Sequence, residues 1–379
     1  MKPYKHQERF LKENPDKALL AWEGNTGKTL AGSEWLKLSN RDENPLIVVP
    51  KRIKNKWKEA TKGLNARILT KEEFKKTDVG HPSAFVFDEA HFAASPLFTR
   101  GRSQLTTRTY ELIKANPNMP VLLLTATPIS STPWNLHTLL CFRGVYIDWK
   151  KWRAEFFDLV RLPYLPRPAY MPKPDWRIKI RPYLIKYASI VLMSDVMELP
   201  PITEEKVNLR QYDFDQTQWE SSAAFVARHR HEQTHKAQTI LELSEEYRKV
   251  IVVAHFREQI FELEKQLSRS RQIYVLHGGI DDQEAIIKQA NEDDECFFIV
   301  QASIGVGFDA PSFNVMIFAS MSYSYTNFRQ MKWRVTRGNK IQPKQYYYLL
   351  AGKCDRAILK QVEKGKTFDP KYFNYYEAA

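Results

Sequence analysis

The chain has 379 residues, room for two or three domains of about 150 residues each, so a small peptide scaffold is excluded. Lys and Arg number 57 against 44 Asp and Glu, and the net charge of +13 favours a polyanionic partner such as nucleic acid, with an acidic protein as the alternative. Apolar residues make up 43% and aromatics 13%, enough to order globular domains, which excludes a largely disordered chain.

The opening MKPYKHQERF is charged where a signal peptide needs an apolar core, and no stretch approaches the length of apolar residues that spans a bilayer. Cys141, Cys296 and Cys354 lie far apart, with no CxxC pair and no histidine at zinc-ligand spacing. The reading is a cytoplasmic protein with no membrane partner, no disulfide framework and no zinc site.

Four short apolar runs follow one another in the first part: ALLAW at 18–22, LIVVP at 46–50, AFVFD at 84–88 and VLLLT at 121–125. Their length and composition predict strands buried on both faces of a parallel sheet, with four buried helix segments as the alternative. Between them, 29–38 and 51–62 carry apolar and charged residues at helical spacing. A doubly wound α/β domain over 1–148 follows.

Residues 149–183 differ. They are rich in Lys and Arg, carry Trp149, Trp152, Tyr164, Tyr170 and Trp176, and are interrupted by six prolines, which predict that no regular element forms there. With the Pro200–Pro201 pair, 149–205 reads as a basic, aromatic extension and interdomain linker. A second strand series begins after 248: KVIVVAHF at 249–256, QIYVLHG at 272–278, CFFIVQA at 296–302, NVMIFAS at 314–320 and QYYYLLA at 345–351. Helical stretches at 257–267 and 282–290 alternate with it, giving a second α/β domain over 206–379.

Glu23-Gly24-Asn25-Thr26-Gly27-Lys28-Thr29 follows the first predicted strand and opens a predicted helix. Such a loop turns backbone N–H groups toward phosphates, while Lys28 reaches the β and γ oxygens and the Thr29 hydroxyl holds Mg²⁺. Trp22 stands where the full pattern has its first glycine, and an ordinary glycine-rich turn is the alternative. Asp88-Glu89-Ala90-His91 closes the third predicted strand. There Asp88 can bind the metal through water and Glu89 can polarise the attacking water. The two motifs on strands of one domain point to hydrolysis of ATP with Mg²⁺.

With these residues in place the chain resembles the superfamily 2 helicases and translocases, most closely the Swi/Snf-type DEAH-box DNA-dependent ATPases, and among them a minimal phage helicase. Tyr4-Lys5-His6-Gln7 is similar to the Q motif, which implies that Gln7 reads the adenine. Val48-Val49-Pro50-Lys51 with Asn55-Lys56-Trp57 is similar to motif Ia, and Thr125-Ala126-Thr127-Pro128 to motif III. Leu199 to Arg210 resembles the segment leading into the second motor domain, and His277-Gly278-Gly279 the His-Gly loop that follows. Gly305-Val306-Gly307-Phe308-Asp309 is similar to motif V, which implies that Gly307 and Asp309 approach ribose and phosphates. Gln330 to Arg337 is similar to motif VI, which makes Arg334 and Arg337 arginine fingers that three-residue spacing would put on one helix face. The resemblance implies two tandem RecA-like doubly wound parallel-sheet domains with ATP in the cleft between them. Asn25 in place of a glycine and Trp333 in place of the motif VI glycine depart from the family pattern.

The activity implied is a nucleic-acid-dependent ATPase that moves along, remodels or unwinds duplex, forked or branched DNA, as a monomer, in replication, recombination or repair. Nucleic-acid contacts fall by resemblance on Lys51, Lys54 and Ser303. Trp149 and Trp152 are candidates for a stacking wedge, with a packing arm as the alternative. Two rival readings remain: an RNA helicase, and a nucleotide-gated switch with little turnover.

Overall fold

The computed structural model describes residues 3–98, 102–129, 132–161, 168–209, 230–304, 308–336 and 342–365. Contacts divide the chain into two compact units, 1–197 and 198–379.

The first unit opens with helix α1 (Lys5–Glu13) and strand β1 (Lys17–Trp22), then α2 (Lys28–Leu36), β2 (Leu46–Val49), α3 (Lys54–Ala60), β3 (Arg67–Thr70), α4 (Lys71–Lys76) and β4 (Phe85–Asp88). Next come α5 (Gln104–Ala115), β5 (Val121–Leu124), α6 (Pro133–Phe142) and α7 (Trp149–Phe156). The unit closes with strands β6 (Phe157–Val160) and β7 (Ala169–Pro172), helices α8 (Trp176–Lys179) and α9 (Arg181–Tyr187), and strand β8 (Ser189–Val191). Six strands form one sheet in the order β3-β2-β4-β5-β1-β8, every pairing parallel. Side chains alternate between its faces, so each apolar run feeds two cores. Leu19, Leu46, Val48, Phe85, Phe87, Val121 and Leu123 enter one. Leu20, Trp22, Ile47, Val49, Val86, Leu122 and Leu124 enter the other.

The second unit repeats the plan. Strands β9 (Ile202–Asn208), β10 (Lys249–Ala254), β11 (Gln272–Leu276), β12 (Cys296–Gln301), β13 (Val315–Phe318) and β14 (Lys344–Leu350) form a sheet in the order β11-β12-β10-β13-β14-β9, again all parallel. Its strand residues again alternate between two cores, with Ile251, Val253, Phe298 and Val300 in one and Val250, Val252, Phe297 and Ile299 in the other. The chain is therefore two doubly wound parallel-sheet α/β units. Among the described residues no helix is long and apolar enough to cross a membrane.

In the two parallel sheets, three strands had no apolar run to announce them. β3, β8 and β9 are short or polar, and each lies at an edge of its sheet, where one side needs no partner. Placing the second domain at 206 is corrected, because residues 202–205 already pair with Lys344–Tyr347.

The expectation that prolines leave 149–183 irregular is also corrected. The segment forms α7, a β6–β7 antiparallel hairpin, α8 and α9. Pro182 sits in the first turn of α9, where the missing N–H has no intrahelical partner to lose. Trp152, Phe156, Phe157 and Trp176 are buried in the same core as Leu136 and Phe142. Trp134 stacks between Trp149 at 4.1 Å and Phe157 at 3.8 Å, measured between ring centres. Tyr164 lies outside the described residues. Replacing Trp152 by Ala is therefore expected to lower the stability of the first unit by about 3–5 kcal/mol in urea unfolding followed by circular dichroism. A loss below about 0.5 kcal/mol would make Trp152 a surface residue.

Candidate nucleotide site

The first-unit motifs gather at one edge of the sheet, because parallel strands deliver their following loops to the same side. The loop after β1 carries 23–27, that after β2 carries Lys51, that after β4 carries Glu89, and that after β5 carries Thr125–Pro128.

At the end of β1, Glu23 is fixed by its N–H to the Val191 carbonyl and by Met193 N–H donating to Oε2, both at 2.9 Å. Asn25 and Gly27 take positive φ values of 61° and 79°. Asn is among the residues with a Cβ that enter that region most readily, so its presence in place of glycine is compatible with the loop. Gly27 is required twice over, since a Cβ there would lie 2.1 Å from Gln7 Nε2. Gly24 is buried, the Thr26 hydroxyl donates to the Glu23 carbonyl at 2.8 Å, and α2 starts at Lys28 with Thr29 in its first turn. Lys28 Nζ donates to the Trp22 and Glu23 carbonyls, each at 2.8 Å. Trp22 is fully buried and its indole donates to Ser189 Oγ, so the position of the missing first glycine is a core position.

Helix α1 holds this loop from behind. His6 Nε2 meets the Thr26 carbonyl at 2.8 Å, and Gln7 Nε2 donates to the Gly27 carbonyl at 2.9 Å. Gln7 Oε1 accepts from Tyr4 N–H at 2.7 Å, and the residue is 1% exposed. Both ends of the amide are therefore engaged in joining α1 to the loop.

Asp88 ends β4 and is 4% exposed. Its Oδ1 accepts from Glu89 N–H at 2.9 Å and its Oδ2 from the indole N–H of Trp57 at 2.8 Å. Burial first, and then the neighbouring Glu89 charge, push its carboxyl up to about 6; the Lys28 charge and the two donors act the other way. Lys28 and Asp88 thus feel each other's charge across the edge of the sheet. Glu89 adopts a left-handed backbone, φ 54° and ψ 48°. Its Oε2 lies 3.3 Å from His91 Nδ1, which also meets Thr125 Oγ1 at 3.1 Å. Thr125 Oγ1 accepts from Thr127 N–H at 3.0 Å, so the DEAH and TATP segments are joined by a continuous polar chain. Among the described residues no group of three or more His, Cys, Asp and Glu is placed to hold a metal. The donor set for a hard cation here is one buried carboxylate and the Thr29 hydroxyl, and it suits an ion that completes its shell with water and phosphate.

In the second unit, the stretch similar to motif VI is helical only to Lys332, and Arg334 lies in the turn beyond. This corrects the expectation that Arg334 and Arg337 share a helix face. Arg334 is 4% exposed, and its Nη1 donates to the Phe308 carbonyl at 3.0 Å and lies 3.7 Å from Asp309 Oδ1. The structure thus brings Arg334 and Asp309 together. Gly307 and Arg337 lie outside the described residues. Trp333 caps the helix with its ring under the Arg329 guanidinium.

The nucleic-acid candidates separate. Lys51 and Ser303 are exposed in turns directly after β2 and β12. Lys54 is tied to Glu73 at 2.7 Å. Trp149 is half-buried in the aromatic stack, and Trp152, at 1% exposed, cannot stack on a base, which corrects that assignment.

Sequence reasoning missed Trp57 as the donor to Asp88 and Gln7 as the brace of the loop after β1. Trp57 stands out in the sequence only through the similarity of Asn55-Lys56-Trp57 to motif Ia, and nothing in the spacing between 57 and 88 signals the contact.

Residues 233–339 match the family model described as the Helicase conserved C-terminal domain. The match runs through β10, β11, β12 and β13 to the turn bearing Arg334. No curated protein matches the chain. Among solved structures, the SWI2/SNF2 ATPase core of Sulfolobus solfataricus in complex with dsDNA is similar to it at a TM-score of 0.42 and 12% identity, over 96% of this chain and 92% of that one.

Replacing Trp57 by Phe leaves the buried Asp88 Oδ2 without its donor and is expected to cost about 1–3 kcal/mol in urea unfolding. In an Asp88→Asn background the same change should cost less, because no charge is left bare. Equal costs in the two backgrounds would show that only ring packing had been lost.

Proposed function

We propose that this protein is an ATP-dependent DNA translocase or helicase of superfamily 2, close in kind to the Swi/Snf-type motors. The observation that carries the reading is Lys28 within charge range of the buried Asp88, with Glu89 next to it at the same sheet edge, in a chain whose second unit matches a helicase C-terminal domain.

In this reading the N–H groups of 24–29 receive the phosphates of ATP, and Lys28 exchanges the Trp22 and Glu23 carbonyls for β and γ oxygens. Thr29 and Asp88 hold Mg²⁺, which neutralises the phosphate charge when bound. Glu89, beside Asp88, orients and deprotonates the attacking water. The similarity to motifs V and VI makes Arg334 and Arg337 the candidates to stabilise charge on the γ-phosphate, and Gly307 and Asp309 candidates for nucleotide binding. His91, Thr125 and Thr127 report the state of Glu89 to the loop after β5.

The net charge of +13 favours a phosphate backbone as the track, with Lys51, Lys54 and Ser303 as its candidate contacts. Duplex, forked or branched DNA is the substrate class, handled by a monomer in the cytoplasm during replication, recombination or repair. The three cysteines, all free and buried or half-buried, suit a reducing compartment.

Steady-state ATP hydrolysis, alone and with single-stranded, duplex or forked DNA or RNA, tests the reading. Duplex or forked DNA should stimulate turnover, Lys28→Ala should abolish it, and Glu89→Gln should keep ATP binding while lowering turnover by about 10²–10⁴. Preferential stimulation by RNA would make the protein an RNA helicase. Slow turnover indifferent to every nucleic acid would overturn the motor and leave a nucleotide-gated switch.

A further inference from the structure

The first unit contains a cavity of about 500 Å³ between α1, the first half of β1 and the edge strand β8. Its volume is that of a site for a small organic ligand. Its lining includes none of Gln7, the 23–29 loop, Asp88 or Glu89. Four cationic side chains, Arg9, Lys17, Arg143 and Lys186, face it together with a single carboxylate, Glu13.

That carboxylate is taken, since Glu13 pairs with Arg9 at 2.8 Å on the outer face of α1. The other cations have no acidic partner among the described residues. Lys17 Nζ donates to the Pro117 carbonyl at 2.6 Å, and Lys186 Nζ lies 5.1 Å from the centre of the Tyr187 ring. Arg143 is the most exacting case. It is half-buried, and its Nε is enclosed with no hydrogen-bond partner among the described residues. An enclosed N–H without an acceptor is a standing cost, which an anion in the cavity would offset. Ser189 Oγ already accepts the Trp22 indole and keeps its own O–H for another acceptor. Phe10, Ile190 and Val191 supply apolar wall on the remaining side.

We propose that this cavity is a second anion site, which takes a free phosphate-bearing molecule of mononucleotide size, with its phosphate between Arg143, Lys186 and Lys17. His6 lines the cavity and also bonds the Thr26 carbonyl, so occupancy reaches the support of the phosphate loop.

The test is isothermal titration of the full chain with inorganic pyrophosphate and with thymidine 5′-monophosphate, thymidine serving as the phosphate-free control. A Lys28→Ala background silences the loop after β1, so the outcome stands or falls independently of the ATPase reading. Both phosphates should bind in that background and thymidine should not. Arg143→Met should weaken binding at least tenfold, and Lys186→Met should weaken it as well. Without ligand, Arg143→Met should melt at or above the parent temperature, since it removes an enclosed N–H that has no acceptor; a large fall would mean that Arg143 already has its acceptors and would overturn the proposal. Loss of phosphate binding with Lys28→Ala alone would also overturn it. So would binding confined to a 5′-phosphorylated oligonucleotide, which would assign the cations to a nucleic-acid end.

Discussion

The first unit depends on how a buried carboxylate at the end of a central strand is kept tolerable. Asp88 is placed by β4 where little water reaches it, and an uncompensated charge there would be expensive. The Trp57 indole, the Glu89 N–H and the charge of Lys28 are what offset that cost. Each comes from a different piece of chain, so the requirement fixes α3, the turn after β4 and the start of α2 relative to one another. Gly32 shows how closely this is built, because a Cβ there would lie 2.8 Å from the far edge of the Trp57 ring.

The same constraint links parts whose sequences look separate. Lys54 and Trp57 share α3, one on its surface toward Glu73 and the other at its base against Asp88. A displacement of the helix from its outer face would therefore be felt at the carboxylate. On the other side, the His91–Thr125–Thr127 chain joins Glu89 to the loop after β5, and α1 braces the loop after β1 through His6 and Gln7. The loops at this edge are thus coupled through buried polar contacts, which have few alternative partners.

The basic, aromatic segment after α6 shows how one composition serves two environments. Its Trp and Phe side chains complete the first core, while Lys150, Lys151 and Arg181 stay in water. Such a division is expected where a segment must both close a core and keep a cationic surface.

The amino-acid sequence by itself determined the doubly wound plan, because strands buried on both faces need continuous apolar runs and nine of the runs stand clear of their surroundings. It also marked Lys28 and the Asp88–Glu89 pair, whose chemistry depends on residue type at short spacing. Edge strands β3, β8 and β9 were illegible, since pairing on one side alone places little demand on side chains. The aromatic residues of 149–176 carried no label for inside or outside; packing against Trp134 and Leu136 decided that. Gln7 and Trp57 acquired their roles from contacts across 20 and 31 residues of chain, and Arg334 from its turn beside Phe308 and Asp309. Contacts between residues distant in sequence are created by folding, so only the tertiary structure could assign them.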